Sequence, residues 1–291
     1  MMPESIQQIA VLTPSAAESR IFLAAIVATS KTMITYQDKN ITVSIRDYGK
    51  ELLFGAERIQ EELKASSHAN AFDLHKALKF PQQIPDTLEL SVQTDEQFIG
   101  RLRFFCASEL YSADAVIALV SETGKFSDQL FPFLDKSRSN VCFAVKCSKP
   151  PDTDVQQYLN DLIPDLHSQT VGRLWACHWY HPNGFSSDGS QKAPENAVPL
   201  GIQEIFWSSA RLAASFRLAS LRKKASENYD IIRRRNSWFQ KNSIRRRLEL
   251  NQARNAYAET VLSMYGSEQF LALSEGRPLA EDSALKGVTK S

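Results

Sequence analysis

Two short apolar runs constrain this chain more than any other feature in it. Ala115-Val116-Ile117-Ala118-Leu119-Val120 and Val141-Cys142-Phe143-Ala144-Val145 are apolar at every position. Runs of this length predict strands covered on both faces, because a strand with one wet face alternates instead. Phe126 to Leu134 can supply a helix between them, Asp154 to Leu162 another after Pro150-Pro151, and Arg173 to Trp179 reads as a last strand. Strands alternating with helices predict an α/β domain with an open, mostly parallel, doubly wound sheet and right-handed crossovers.

Upstream, Met33 to Tyr36 and Ile41 to Ile45 are rich in β-branched residues and bounded by turn formers, so they predict a hairpin or two β segments. Leu52, Leu53, Ala56, Ile59 and Leu63 recur at helical spacing between Glu51 and Lys64, predicting an amphipathic helix. Residues 65–87 read as a long connection with one helical turn at Asp73 to Leu78. Thr87 to Val92 alternates and is expected to pair with Gly100 to Phe105 as an antiparallel edge. His181 to Pro199, with its prolines, glycines and serines, marks an exposed loop and a domain boundary. Organisation is thus expected as an α/β domain over 1–180, a linker over 181–199, a helical extension over 200–275 and a frayed tail over 276–291.

With 291 residues the chain has room for one good core and a smaller module. No apolar run approaches the roughly 18 residues of a membrane span. Met1 to Gln8 is polar, with Glu4 where a leader would be basic, so a cytoplasmic protein is expected. Cys106, Cys142, Cys147 and Cys177 are scattered through strand-like stretches without zinc-site spacing and read as reduced thiols.

Near the N-terminus, Ile9 to Ile26 runs as apolar strand, tight loop and apolar helix, the layout of a phosphate-binding loop. Such a loop needs glycines so that backbone amides can wrap phosphate, a lysine for its oxygens and a hydroxyl for magnesium. Here Thr13 and Glu18 stand at the glycine places, Ser19 at the lysine place and Arg20 at the hydroxyl place, with Pro14, Ser15, Ala16 and Ala17 between.

Over roughly residues 6–180 the order of elements resembles a translation-factor-class GTPase domain. In that family the strand equivalent to Leu102 to Phe105 ends in Asp-x-Pro-Gly, where this chain has Cys106-Ala107-Ser108-Glu109. The Tyr111-Ser112 that follows is similar to ferrous-iron-transporter-type GTPases. Asn-Lys-x-Asp, the family's guanine-reading motif, corresponds to Val145-Lys146-Cys147-Ser148, so Lys146 alone is retained and Ser148 replaces the reading carboxylate. The resemblance implies a P-loop GTPase fold whose pocket remnants are Thr13 to Arg20, Cys106, Glu109, Lys146 and Ser148. It implies a pseudo-GTPase with no catalytic residue, metal or cofactor. Glu18 at about 4 Å from a phosphate oxygen would be repelled by about 4 kcal/mol at an effective dielectric of 20. The alternative is a divergent GTP-binding protein that holds GTP and magnesium with groups supplied by Arg20 or by a partner.

His178 and His181, with Cys177 alongside, offer a metal two imidazoles but no carboxylate or further ligand at a suitable spacing. No Gly-x-Ser-x-Gly elbow marks a serine hydrolase. The basic segment is more informative. Between Arg211 and Arg247 there are twelve Lys or Arg against Glu227 and Asp230, which is +10 there and leaves −9 elsewhere for a net charge of +1. Arg222-Lys223-Lys224, Arg233-Arg234-Arg235 and Arg245-Arg246-Arg247 are eleven and twelve residues apart. That is close to three helical turns, so they are expected to stack along one side of a helix. An acidic protein surface is the expected partner; nucleic acid and an anionic membrane surface are the alternatives.

Overall fold

The computed structural model describes residues 6–13, 18–20, 22–23, 25–26, 35–36, 39–45, 86–95, 97–106, 113–121, 138–146, 172–180, 201–235 and 244–279. Its strands are β1 (Ile6–Leu12), β2 (Thr35–Tyr36), β3 (Lys39–Ile45), β4 (Thr87–Thr94), β5 (Phe98–Cys106), β6 (Ala115–Ser121), β7 (Asn140–Lys146) and β8 (Trp175–Tyr180). The described residues between 18 and 26 are helical and are called α1. Two long helices follow, α2 (Ile202–Arg235) and α3 (Ile244–Ser274).

One sheet runs in the order β2-β3-β4-β5-β1-β6-β7-β8. β5, β1, β6, β7 and β8 are parallel neighbours, whereas β2, β3 and β4 join antiparallel on the β5 side. The α/β class, the mostly parallel sheet and the helical C-terminal part all match the sequence reading. The two apolar runs became β6 and β7, and both of their faces are buried. Ile117, Leu119, Cys142 and Ala144 point to the same core as Phe22 and Leu23 of α1, Phe206 and Ala213 of α2 and Phe270 of α3. Val116, Ala118, Val141, Phe143 and Val145 belong to a second core on the opposite face.

The expected antiparallel edge is a correction. β4 and β5 do pair antiparallel, Leu90 opposite Leu102, but β5 also pairs with β1 and β4 with β3, so both are interior. Their alternation comes from charge placed on one face of an interior pair. Glu89 there takes Arg103 Nη2 at 2.9 Å and Arg101 Nη1 at 3.5 Å while Leu88, Leu90, Leu102 and Phe104 fill the other face. The hairpin expected around residues 33–45 is present as β2 and β3, and the last strand lies slightly later than expected. Helices expected at 51–64, 126–134 and 154–162, and the linker at 181–199, lie outside the described residues.

Two glycines fix how the long helices seat. Gly201 has φ +80° and sits directly on the carbonyl of Trp179, so α2 begins at the end of β8 with no room for a side chain. At Gly100 an added Cβ would lie 2.5 Å from the ring of Phe270, which is how α3 rests on β5. α3 ends in a Schellman cap: Gly276 has φ +68°, Arg277 N–H donates to Ala272 O at 2.8 Å and Gly276 N–H to Leu273 O at 3.2 Å. Leu279 then packs on the core, and residues 280–291 of the expected tail lie outside the described residues.

Arg222 bonding Glu268 and the tilted ring contact of Tyr229 with Tyr257 show α2 and α3 to be antiparallel. No described residue of α2 beyond Leu218 is buried. Its last 17 residues therefore run about 25 Å past the sheet at 1.5 Å each. Half-buried Leu221, Ala225, Asn228 and Ile232 recur at the spacing of a two-helix seam, as do Leu250, Ala253, Tyr257 and Thr260 on α3.

Candidate functional site

β1 lies between β5 and β6, so the chain leaves it in opposite directions across the sheet. In open α/β sheets the crevice outside the carboxyl ends of the strands at such a switch point is the usual ligand site. The carboxyl ends here carry Thr13 after β1, Cys106 at the end of β5 and Lys146 at the end of β7, with α1 beginning beside them at Glu18.

Of the pocket residues expected from sequence, Thr13, Glu18, Ser19, Arg20, Cys106 and Lys146 are described, and the structure joins them in two groups. In the first, the Thr13 hydroxyl donates to Glu18 Oε2 at 3.1 Å, and Lys146 Nζ lies 3.6 Å from Glu18 Oε1. A carboxylate at the start of α1 thus takes a cation that reaches it from β7, two strands away in the sheet. In the second, Arg20 Nε donates to Asp86 Oδ1 at 2.6 Å, beside the thiol of Cys106. Ser19, almost wholly buried, hydrogen-bonds that thiol. Burial pushes the Cys106 thiol up to about 11, with Asp86 adding to the shift, so its surroundings favour the protonated sulfur. Pro14, Ser15, Ala16, Ala17, Glu109 and Ser148 lie outside the described residues.

Asp86 went unnoticed in the sequence. It stands just before β4, 66 residues from Arg20, and its backbone carbonyl also accepts from Cys106 N–H at 2.7 Å. No local pattern announces such a partner, because the antiparallel pairing of β4 with β5 is what delivers it.

Among the described residues the charges of the crevice are paired with one another. Glu18 answers Lys146, and Asp86 answers Arg20. No protein-family model matches the chain, and no curated protein matches it either. Among the described residues no group of three His, Cys, Asp or Glu is placed to hold a metal.

The basic triplets form a second candidate surface and require a correction. They do not stack along one helix. Arg222, Lys223 and Lys224 are exposed midway along α2, Arg233 and Arg234 are exposed near its end, and Arg245 and Arg247 are exposed at the start of α3. Because the helices are antiparallel, the second and third triplets converge at one end of a helical hairpin. Arg245 keeps Glu249 at 3.5 Å, and Arg222 is tied to Glu268 at 2.8 Å. Arg235 and Arg246 are helical, and their side chains lie outside the description. Exposed Ile244 and Leu248 sit among the arginines. No helix of the described residues is long and apolar enough to cross a membrane.

Proposed function

We propose that the chain is a GTPase-like protein without nucleotide chemistry, a cytoplasmic binding module that presents the basic end of its helical hairpin to an acidic protein surface. The observation that carries this reading is the Glu18 carboxylate, held by the Thr13 hydroxyl and the Lys146 ammonium in the loop that the resemblance assigns to phosphate. A nucleotide would have to displace that carboxylate and then endure its charge, a repulsion of about 4 kcal/mol at 4 Å and an effective dielectric of 20. Arg20, which stands in the loop's helix as a replacement for the missing cation, is engaged by Asp86 at 2.6 Å. The central position of β1, with α1 directly after its loop, supports the GTPase-like reading, as does the switch point at that loop.

The docking half of the reading rests on charge. Arg233, Arg234, Arg245 and Arg247 converge where the hairpin carries no neighbouring sheet, and the rest of the chain is net negative. Arginine forks suit carboxylate clusters, and the exposed Ile244 and Leu248 suit a protein surface better than a nucleic-acid backbone.

Calorimetric titration with GTP and magnesium tests the first half: no saturable heat is expected, and magnesium-dependent binding in the low micromolar range refutes it. For the second, a fluorescent poly-glutamate peptide should bind and lose affinity in an Arg233→Glu, Arg234→Glu variant. Tighter binding of a single-stranded oligonucleotide with the same charge would favour nucleic acid instead.

A further inference from the structure

A second cavity, of about 380 Å³, lies at the outer end of the sheet between β8, α2 and the end of α3. It is lined by His178 from the strand, by Trp207, Ser208 and Arg211 from α2 and by Ser274 from α3. Its volume lies toward the lower end of the roughly 300–1,000 Å³ usual for small-molecule sites.

The polar lining residues Ser208 and Arg211 continue a stripe that begins at Glu204, outside the cavity. Glu204, Ser208 and Arg211 are four and then three residues apart on α2 and share a face. His178 Nε2 lies 2.6 Å from Ser208 Oγ, so the imidazole and the hydroxyl form a fixed pair in the middle. Burial holds the His178 pKa below its ordinary value, with the Glu204 carboxylate working the other way, which favours the neutral ring. Arg211 is exposed and forms no ion pair with any described residue.

The stripe is also anchored. Asn140 Nδ2 donates to Leu212 O at 2.9 Å, while Asn140 Oδ1 accepts from Leu174 N–H at 3.1 Å. One buried amide thus clamps α2, β7 and the entry to β8 next to Arg211. Ser208 lies inside a helix whose own amides are committed to the helical ladder, so that helix offers it no oxyanion hole, and the reading developed for the cavity is one of binding.

We propose that this cavity binds a small hydroxy-monocarboxylate, its carboxylate on the Arg211 guanidinium and its hydroxyl on the His178–Ser208 pair. A guanidinium with no ion pair among the described residues matches one planar carboxylate by a bidentate fork. The nearby Glu204 charge disfavours a dianion such as a phosphate monoester. The site is separate from the crevice at β1 and does not depend on the reading given to that crevice.

Glycolate, acetate and glycerol 3-phosphate serve as probes of the full chain, followed by the intrinsic fluorescence of the lining Trp207 and by amide shifts at His178, Ser208 and Arg211. Glycolate should saturate with a dissociation constant of about 1 mM, the affinity of a ligand this small. Arg211→Gln, an exposed change that leaves the fold intact, should weaken it at least tenfold, and Ser208→Ala should bring glycolate down to the level of acetate. Failure of glycolate to saturate, equal binding by the Arg211→Gln variant, or tighter binding of glycerol 3-phosphate than of glycolate overturns the assignment.

Discussion

Replacing Glu18 by alanine separates two contributions that the crevice combines. The first is structural and small. Lys146 and Glu18 are 3.6 Å apart with their side chains 33% and 39% exposed, so solvent screens the pair and it contributes about 0.2–1 kcal/mol. The hydrogen bond from Thr13 at 3.1 Å adds about 0.5–1.5 kcal/mol. Glu18→Ala should therefore lower the unfolding free energy by about 1–2 kcal/mol, a few degrees in melting temperature for a chain this long. The second contribution is electrostatic and large. Taking a carboxylate away from an anion at about 4 Å removes up to about 4 kcal/mol of repulsion, which solvent at this partly open site reduces to a gain of about ten- to a hundredfold. Pyrophosphate titrated calorimetrically at low salt should bind Glu18→Ala more tightly than the wild type by that factor. The gain should disappear when Lys146→Ala is added. A stability loss above about 3 kcal/mol would mean that Glu18 is a structural keystone, and an unchanged pyrophosphate affinity would mean that its charge does not guard the loop.

Three further outcomes follow from buried groups. Gln7 is fully buried in the central strand and neither amide atom has a hydrogen-bond partner, so Gln7→Leu should raise the urea-unfolding free energy by about 1–2 kcal/mol without changing the slope; a loss of stability would contradict this. Gly201→Ala meets both a positive φ and the carbonyl of Trp179, and should cost more than about 2 kcal/mol while Gly172→Ala, with open space around it, costs about 1. Burial raises the Asp114 pKa above its ordinary 3.8 despite the Gln8 N–H at 2.8 Å and Arg217 at 3.3 Å. The folded carboxyl thus keeps its proton to higher pH than the unfolded one. Its contribution is complete below pH 3.8 and lost as pH rises through the folded pKa, and a non-titrating Asp114→Asn variant should lack that slope in unfolding measured across this range.

Strands whose identity depends on local composition could be read directly. The interiors of β6 and β7, 115–120 and 141–145, are apolar because both faces are buried, and β2 and β3 carry β-branched residues beside turn formers. Neighbourhood in the sheet could not be read this way. The alternation of β4 and β5 looked like an edge because it records one polar face, and the Glu89–Arg101–Arg103 cluster that explains it spans two strands. The break between α2 and α3 left a fainter trace: no proline or glycine interrupts the chain, but Asn242-Ser243, both good helix N-cap formers, stand directly before Ile244. In the crevice the candidate residues Thr13, Glu18 and Lys146 were named through the resemblance, whereas their pairing could not be read from the sequence. Glu18 to Lys146 and Arg20 to Asp86 are contacts between distant segments, set by strand order. His178 and Ser208 meet across 30 residues for the same reason.

The length of the hairpin also changes how the molecule meets its surroundings in solution. A basic end carried about 25 Å beyond the sheet is some three Debye lengths from it at physiological ionic strength, where the screening length is about 8 Å. At that separation the negative charge of the α/β part no longer cancels the field at the tip. The chain is nearly neutral in total but behaves as an extended dipole. An anionic body diffusing toward it is turned away by the sheet end and drawn in at the hairpin, so orientation is selected before any side chain makes contact.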